Sequence, residues 1–214
     1  MLLIRHAESE GNVARILQGQ QEHPLSSRGR HQALALGQFL STQSWRPTHI
    51  YCSPLSRTQE TAECCIVDDS PDIKVSPNLI EIHNGILQGL TWATAEQTYP
   101  QLCQTLTNSS TWVPIPQAEY PQAVFKRSQT FIEDLLAQHH NRDRIWIFSH
   151  GGILQHLIAS LMGCDRMWGI PIPPTGLFEF EIDLDHWNTQ TDDRFAGHLF
   201  QIKRFNQTPH LAES

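Results

Sequence analysis

Short apolar runs of strand length alternate along this chain with longer segments that have helical periodicity. The strand-like runs occupy residues 2–4, 48–52, 73–75 and 144–150, and the helical patterns occupy residues 26–43, 123–140 and 151–163. Alternation of this kind is typical of an α/β fold in which a mostly parallel sheet is covered by helices on both faces. We therefore predict a three-layer α/β/α architecture, and the length of 214 residues fits a single domain spanning residues 1–214.

Two parts of the chain depart from this alternation. Residues 79–122 break the pattern, with only a modest helix near 93–99, and we expect this stretch to be an insertion that caps the substrate. Residues 177–183 and 198–205 each alternate apolar with polar side chains, which predicts an antiparallel pair at the edge of the sheet. Such an edge offers a surface through which two copies could pair as a homodimer.

The composition argues against several classes of function. The chain has 15 basic and 22 acidic residues, and this net charge of -7 disfavours general nucleic-acid binding. No apolar run reaches the ~20 residues that cross a bilayer, so we expect no membrane segment. Because the first predicted strand begins at residue 2, we expect no signal peptide. Five cysteines without paired metal-ligand spacing predict reduced thiols in a cytoplasmic protein.

Three predicted strands end on side chains that suit the binding of an anion. Arg5 and His6 follow the first strand, Arg57 lies shortly after the second, and His150 ends the strand at 144–150. The carboxyl ends of parallel strands meet at one edge of a sheet, where α/β proteins bind ligands. The arginine fork matches phosphate oxygens, and such charge-assisted hydrogen bonds contribute roughly 1.5–3 kcal/mol each. This set of side chains predicts a phosphoryl group as the ligand.

Two helix starts add to this predicted site. Ser53 suits an N-cap and Pro54 suits the first helical position, which would place Arg57 about one turn into a helix. The helix that starts at Gly151 presents backbone N–H groups, and the N-terminus of a helix can bind an anion. The side-chain amide of Asn12 could donate a further hydrogen bond.

Phosphoryl transfer also needs a nucleophile and a proton donor. A neutral imidazole at His6 could attack phosphorus and form a covalent phosphoenzyme. The leaving alkoxide must be protonated, and Glu81, in a loop punctuated by glycines, is the candidate acid. A carboxyl group beside a phosphate dianion should have a raised pKa, because a like charge disfavours ionisation. Once ionised, the same group could accept a proton from the attacking water.

Four short motifs occur in order along the chain: RHAES with Asn12, SPLSRTQETA, LIE followed by GLT, and SHGG. Together with the segment LQGQQEHPLSSRGRHQA, they resemble the histidine phosphatase superfamily, the group named for cofactor-dependent phosphoglycerate mutase. The resemblance covers residue 2 to about residue 160. It implies a phosphoglycerate mutase-like fold, with His6 as the phosphorylated nucleophile and Glu81 as the acid/base. It also implies that no metal or cofactor is needed and that the phosphoryl oxygens are held by Arg5, Arg57 and His150, with Asn12 in support.

The chain departs from the family pattern at two positions. Ala7 stands where the first motif more often has glycine, and the methyl group is usually tolerated among the phosphatase members. Ala118, Glu119 and Tyr120 stand where a Gly-Glu-Ser signature is expected. The second departure bears on whether Glu119 faces the substrate.

The spacing favours a phosphatase over a mutase within this family. The mutases that the chain resembles carry a long insertion before the second histidine, with a basic cluster that holds the substrate carboxylate. Here 68 residues separate Glu81 from His150, and residues 100–122 contain no basic residue. A mutase stays the alternative, whereas a non-catalytic phosphate-binding scaffold is disfavoured because both the nucleophile and the acid are present.

The substrate is inferred from the C-terminal tail. The segment KRFNQTPHLAES resembles the closing segment of small-molecule phosphatases in the family, including metal-independent phosphoserine phosphatases. We predict that the tail folds back and brings His210 or Lys203 near the pocket. The predicted substrate-binding residues are Asn12, Gly151, His83 and His210. Phosphoserine is the leading substrate, and sugar phosphates, a bisphosphorylated sugar and a cobalamin-precursor phosphate stay open.

The remaining histidines do not predict a metal site. His139 and His140 are adjacent in a helical pattern, so their side chains point about 100° apart and cannot readily share an ion. The others are expected to be surface or hydrogen-bonded polar residues: His31, His49, His156, His186 and His198. We therefore expect no bound metal.

Overall fold

Six strands form one sheet at the centre of this protein, whose computed structural model describes residues 1–43, 46–67, 69–164, 169–187, 197 and 199–211. The strands are β1 (Leu2–Arg5), β2 (His49–Cys52), β3 (Ile73–Val75), β4 (Ile145–Ser149), β5 (Leu177–Ile182) and β6 (Phe200–Gln207). Their spatial order is β3-β2-β4-β1-β5-β6. The four neighbouring strands β3, β2, β4 and β1 are parallel to one another, whereas β5 runs antiparallel to β1 and to β6. The predicted mostly parallel sheet is confirmed, as is the antiparallel late pair, although residue 198 lies outside the described residues.

Helices cover both faces of the sheet. They are α1 (Glu10–Val13), α2 (Ser27–Ser41), α3 (Ser56–Glu63), α4 (Trp92–Thr98), α5 (Pro100–Asn108), α6 (Pro121–Gln138), α7 (Gly151–Leu161) and α8 (Leu184–Trp187). Successive side chains of a strand point to opposite faces. Leu3 of β1 therefore packs with α6 and α7, whereas Leu2 and Ile4 pack with α2 and α3. The predicted three-layer α/β/α architecture is confirmed.

The helix α2 forms where its apolar spacing and its capping residue predict a helix. Leu36 and Leu40, four residues apart, are almost fully buried against the sheet, and burial of each leucine side chain contributes roughly 1.5–3 kcal/mol. Ser26 caps the helix, because its hydroxyl accepts a hydrogen bond of 2.9 Å from the backbone N–H of Gly29. Apolar spacing and capping therefore define both the buried face and the start of this helix.

The predicted start of α3 is wrong. The helix begins at Ser56 with Leu55 as its N-cap, so neither Ser53 nor Pro54 has the expected position. Ser53 Oγ instead lies 2.7 Å from Nε2 of His150, a residue from the adjacent strand end. Ser53, which the local sequence predicts to cap the helix, therefore forms a tertiary hydrogen bond with His150 instead.

Two other helix predictions are corrected by the structure. The helix α6 ends at Gln138, and His139 is extended, with φ −115° and ψ 170°, so His139 and His140 do not share a helix. Within residues 79–122, α4 matches the predicted modest helix, but α5 was missed. This stretch has its own small core, in which Leu87, Ala95 and Cys103 are buried.

The structure bears on three predictions, which concern the cysteines, membrane segments and the edge of the sheet. All five cysteines are free thiols, as predicted. Across the described part of the chain, no helix combines the length and apolar character needed to span a bilayer. The edge strand β6 exposes Ile202 and Phe205, and homodimerisation through it stays a prediction.

Candidate active site

The parallel pairing of β1 with β4 brings two distant histidines together. Arg5 pairs with Ser149 at the end of the two strands, and the backbone N–H of His6 donates to the Ser149 carbonyl at 3.0 Å. The imidazole rings of His6 and His150, which follow these strands, have centroids 5.1 Å apart and meet edge to face. Both rings are almost fully buried. The sheet register therefore juxtaposes the predicted nucleophile and a predicted phosphate ligand.

His6 is held in the form that a nucleophile requires. Its Nδ1 lies 2.6 Å from the carbonyl oxygen of Ala7, so Nδ1 carries the proton and the lone pair lies on Nε2. Burial, and then the charges of Arg5 and Arg57, lower the pKa of His6 well below its usual value. The ring is therefore neutral near pH 7, and Nε2 can attack an electrophile.

Two guanidinium groups lie beside this imidazole. Arg57 is 1% exposed, and its Nη1 and Nη2 donate to the carbonyl oxygens of Gln21 and Gly19 at 2.8 and 2.9 Å. Arg5 donates from Nη1 to the carbonyl oxygen of Ile172. Burial lowers the pKa of Arg57 to about 10, which leaves the group charged at neutral pH. The backbone thus fixes both guanidinium planes before any ligand arrives.

His150 is oriented by the hydroxyl group of Ser53. Burial, and then the neighbouring His6 and both arginines, lower the pKa of His150 well below its usual value, so this ring is also neutral. The Ser53 hydroxyl lies 2.7 Å from Nε2. If it donates to that nitrogen, the ring proton lies on Nδ1, which becomes a hydrogen-bond donor.

Three buried nitrogens of these residues lack a hydrogen-bond partner: Nε of Arg5, Nε of Arg57 and Nδ1 of His150. An unsatisfied buried donor costs about 1–3 kcal/mol, and buried donors in native proteins are nearly always satisfied. The three belong to the three residues expected to hold the phosphoryl oxygens. An oxyanion with several acceptor atoms would satisfy them together.

Glu81 lies at the N-terminus of α7. Its carboxylate accepts hydrogen bonds of 3.2 Å from the backbone N–H groups of Gly152 and Ile153, and one of 2.9 Å from Ile82. The sequence had predicted that the N-terminus of this helix would bind the anion directly. In the structure, the N–H groups of Gly152 and Ile153 position the candidate acid instead.

Arg127, on α6, holds the loop that carries Glu81, and sequence reasoning gave it no role. Its guanidinium group donates to the carbonyl oxygens of Asn78 and Ile80, each at 2.8 Å, and of Glu81 at 3.3 Å. It also forms an ion pair with Glu119, at 2.6 Å from Nε. The only signal in the sequence for this ion pair is the spacing of its two residues. Glu119 precedes α6, and Arg127 lies about two turns into that helix.

Asn12 and Gly151, the next two predicted substrate contacts, have different surroundings. The Asn12 side-chain oxygen accepts from the backbone N–H and the hydroxyl group of Ser9, in a reciprocal cap of α1. Gly151 lies against Arg5, because a Cβ at position 151 would be 3.5 Å from Arg5 Nε. Substrate contact by either residue stays a prediction.

His83 and His210 lie in different surroundings. His83, two residues after Glu81, accepts a hydrogen bond of 3.0 Å from the Gly85 N–H through Nδ1, and it lines a cavity of about 270 Å³. Nε2 of His210 lies 2.7 Å from the hydroxyl group of Thr175, whose backbone N–H donates to the His6 carbonyl at 3.3 Å. The tail therefore folds back and contacts Thr175, whereas Lys203 pairs with Glu181 at 2.9 Å. Substrate contact by His83 or His210 stays a prediction.

Comparison with known proteins assigns the chain to one family. The model of the "Histidine phosphatase superfamily (branch 1)" matches residues 1–192. A metal-independent phosphoserine phosphatase of Arabidopsis thaliana is 32% identical over 207 residues, which cover 93% of this chain and 85% of that protein. A protein of Serratia proteamaculans described as "Probable phosphoglycerate mutase GpmB" is 31% identical over 161 residues, covering 75% of this chain and 74% of that protein.

Solved structures give the same fold. The alpha-ribazole phosphatase of Shigella flexneri superimposes with a TM-score of 0.79 at 26% identity, covering 97% of this chain and 96% of that one. Bacillus stearothermophilus YhfR superimposes with a TM-score of 0.80 at 26% identity, covering 98% of both chains. The expected phosphoglycerate mutase-like fold is thereby confirmed.

Proposed function

The chain belongs to the histidine phosphatase superfamily and is a phosphoric monoester hydrolase, and we propose that it cleaves small phosphorylated metabolites through a phosphohistidine at His6. One observation carries this proposal. The neutral His6 ring lies beside three residues whose buried donors lack partners, Arg5, Arg57 and His150. This arrangement suits a tetrahedral anion next to a nucleophilic nitrogen.

In the first step, Nε2 of His6 attacks phosphorus, a P–N bond forms and the bond from phosphorus to the ester oxygen breaks. Arg5, Arg57 and His150 stabilise the charge on the non-bridging oxygens, where preorganised donors act most strongly. Glu81, in its protonated form, gives its proton to the leaving alkoxide. The product alcohol departs, and the phosphoryl group stays on His6.

In the second step, water attacks the phosphorus and the P–N bond breaks. The Glu81 carboxylate accepts a proton from that water, which restores its acid form. His6 returns to its neutral state with Nδ1 still bonded to the Ala7 carbonyl. Inorganic phosphate is released, and neither step needs a metal ion.

We further propose phosphoserine as the substrate. The 32% identity with the Arabidopsis thaliana phosphoserine phosphatase over 93% of this chain supports this choice. His83 lies two residues from Glu81, and His210 contacts Thr175, whose backbone N–H donates to the His6 carbonyl. Both histidines are therefore candidates for contacts with the serine part of the substrate, and residues 79–122 are the candidate cap. Phosphoglycerate mutase activity is the second candidate function, because the Serratia proteamaculans relative is described as a probable phosphoglycerate mutase.

A panel of phosphate esters, assayed with a chelator present, tests these assignments. We expect phosphoserine to give the highest kcat/KM, above alpha-ribazole 5′-phosphate and sugar phosphates. A mutase would isomerise 3-phosphoglycerate faster than it releases inorganic phosphate, and that result would overturn the hydrolase assignment. The variant His6→Ala should lose turnover but still bind vanadate, because the three oxyanion ligands remain.

A further inference from the structure

Three potential metal ligands from separate segments meet at the edge of the sheet opposite the active site. His49 is the first residue of β2, His139 follows α6, and Asp143 precedes β4. One donor atom from each lies within 4.8 Å of the other two. A strand rises about 3.3 Å per residue, so His49 lies on the order of 13 Å along the chain from Ser53, which contacts His150. The cluster is therefore separate from the catalytic chemistry.

The distances within this cluster are close to those of a metal site. His139 Nδ1 lies 2.8 Å from Asp143 Oδ2, and His49 Nδ1 lies 4.0 Å from Asp143 Oδ1. The two imidazole rings have centroids 4.3 Å apart and meet edge to face. Bonds of about 2.0–2.2 Å from a tetrahedral zinc ion need ligand atoms somewhat over 3 Å apart, so small side-chain rotations would suffice.

We propose that His49, His139 and Asp143 bind a divalent transition-metal ion of the zinc class, with water as the fourth ligand. Two imidazole nitrogens and one carboxylate oxygen are a donor set that suits zinc and its neighbours in the first transition row. This inference reverses the sequence prediction of no metal. That prediction tested His139 only against His140, whereas the fold brings it to His49 and Asp143.

Neighbouring groups already orient these ligands. His139 Nε2 lies 2.9 Å from the hydroxyl group of Tyr51, so Nδ1 is directed at Asp143. Asp143 Oδ2 also accepts a hydrogen bond of 3.1 Å from the backbone N–H of His140. Hydrogen bonds of this kind fix the rings and carboxylates of metal sites. The exposed fractions of the His49 and Asp143 side chains, 30% and 21%, leave a path for the ion.

Two features oppose the binding of a cation at this cluster. Lys74 contributes a like charge near His49. The ion must also displace the Thr48 hydroxyl, 2.9 Å from His49 Nδ1.

The bound ion would join the start of β2, the end of α6 and the approach to β4. A ligand that binds only the folded chain stabilises it by mass action. We therefore assign this site a structural role: zinc should raise the thermal midpoint without being required for turnover.

Titration of chelator-treated protein with Zn²⁺ and Co²⁺ tests the proposal, by calorimetry, by the visible absorption of Co²⁺ and by the thermal midpoint. We expect one ion per chain, a higher midpoint, and affinity at least about tenfold weaker in His49→Gln and Asp143→Asn. The His49 side chain is 30% exposed, so we expect His49→Gln to fold, and the thermal midpoint of the metal-free variant checks this. The control His186→Gln, which removes a surface histidine 2.8 Å from Asp183, should leave the affinity unchanged.

The active site, with two imidazoles of its own, is the competing location for the ion. Binding that survives in His49→Gln and Asp143→Asn but is lost in His6→Ala would overturn the proposal. The absence of stoichiometric binding to the wild-type protein would overturn it as well, and would leave the three residues as a hydrogen-bonded cluster only.

Discussion

At Gly152, one added methyl group should lower catalytic activity while leaving the stability of the fold nearly unchanged. A Cβ there would lie 2.6 Å from Oε1 of Glu81 and 2.9 Å from Cδ1 of Ile82. Contacts this short are not tolerated, so in Gly152→Ala the carboxylate must leave its place at the N-terminus of α7. The variant therefore displaces the candidate acid without altering its chemistry.

The size of the effect follows from what the acid contributes. General acid catalysis typically contributes 10²–10⁴-fold, and a misplacement on the order of 1 Å costs about 10²-fold. We expect kcat for phosphoserine to fall about 100-fold, or roughly 2.7 kcal/mol in the barrier. The free energy of unfolding should change by less than about 1 kcal/mol, because alanine gains helix propensity while the cap from Glu81 is weakened.

The assay compares an alkyl with an aryl ester. An aryl leaving group needs little protonation, so Gly152→Ala should retain much more activity on p-nitrophenyl phosphate than on phosphoserine. The matched control is Gly151→Ala, in which the nearest atom to the new Cβ is Arg5 Nε at an ordinary 3.5 Å. Its loss should be smaller and equal on both esters. An equal loss on both esters in Gly152→Ala, or normal turnover of phosphoserine, would refute the role of Glu81.

Three further predictions concern the supporting residues. Ser53→Ala removes the 2.7 Å contact that orients His150, and kcat/KM should fall about tenfold, the equivalent of one hydrogen bond; unchanged kinetics would contradict this. Arg127→Lys cannot reproduce the contacts that hold the Glu81 loop, so kcat should fall while vanadate binding stays near normal; weaker vanadate binding without loss of kcat would argue otherwise. Burial lowers the pKa of His156 to about 4, so the unfolded chain binds more protons below pH 6.5 and stability falls as the pH falls. In His156→Leu, urea unfolding should show about 2 kcal/mol less loss between pH 7.5 and pH 5, and an identical loss would exclude this residue as the cause.

The parts of the fold that the sequence predicted are those set by local pattern. The buried runs around Leu3 and Ile147 and the helical spacing of Leu36 and Leu40 each specify an element from a few adjacent residues. Parallel strands then place their carboxyl ends at one edge, so His6 and His150 could be expected to meet from topology alone.

The details that escaped prediction depend on partners distant in the chain. Ser53 reads as a helix cap until the strand order places His150 beside it. Glu81 caps a helix that begins 70 residues later, and Arg127 holds its loop from a third segment. His139 likewise meets Asp143 where α6 ends at Gln138, two residues earlier than the helical pattern predicts. Local propensity cannot specify such tertiary contacts.

Detection of the phosphoenzyme tests the account most directly. Mixing the enzyme with phosphoserine, quenching in alkali on the millisecond scale and mapping the phosphate by mass spectrometry would identify the residue that carries it. We predict a transient phosphohistidine on His6 that forms and decays within one turnover and is absent from His6→Ala. Turnover with no phosphorylated enzyme, or phosphate on any other residue, would contradict the mechanism.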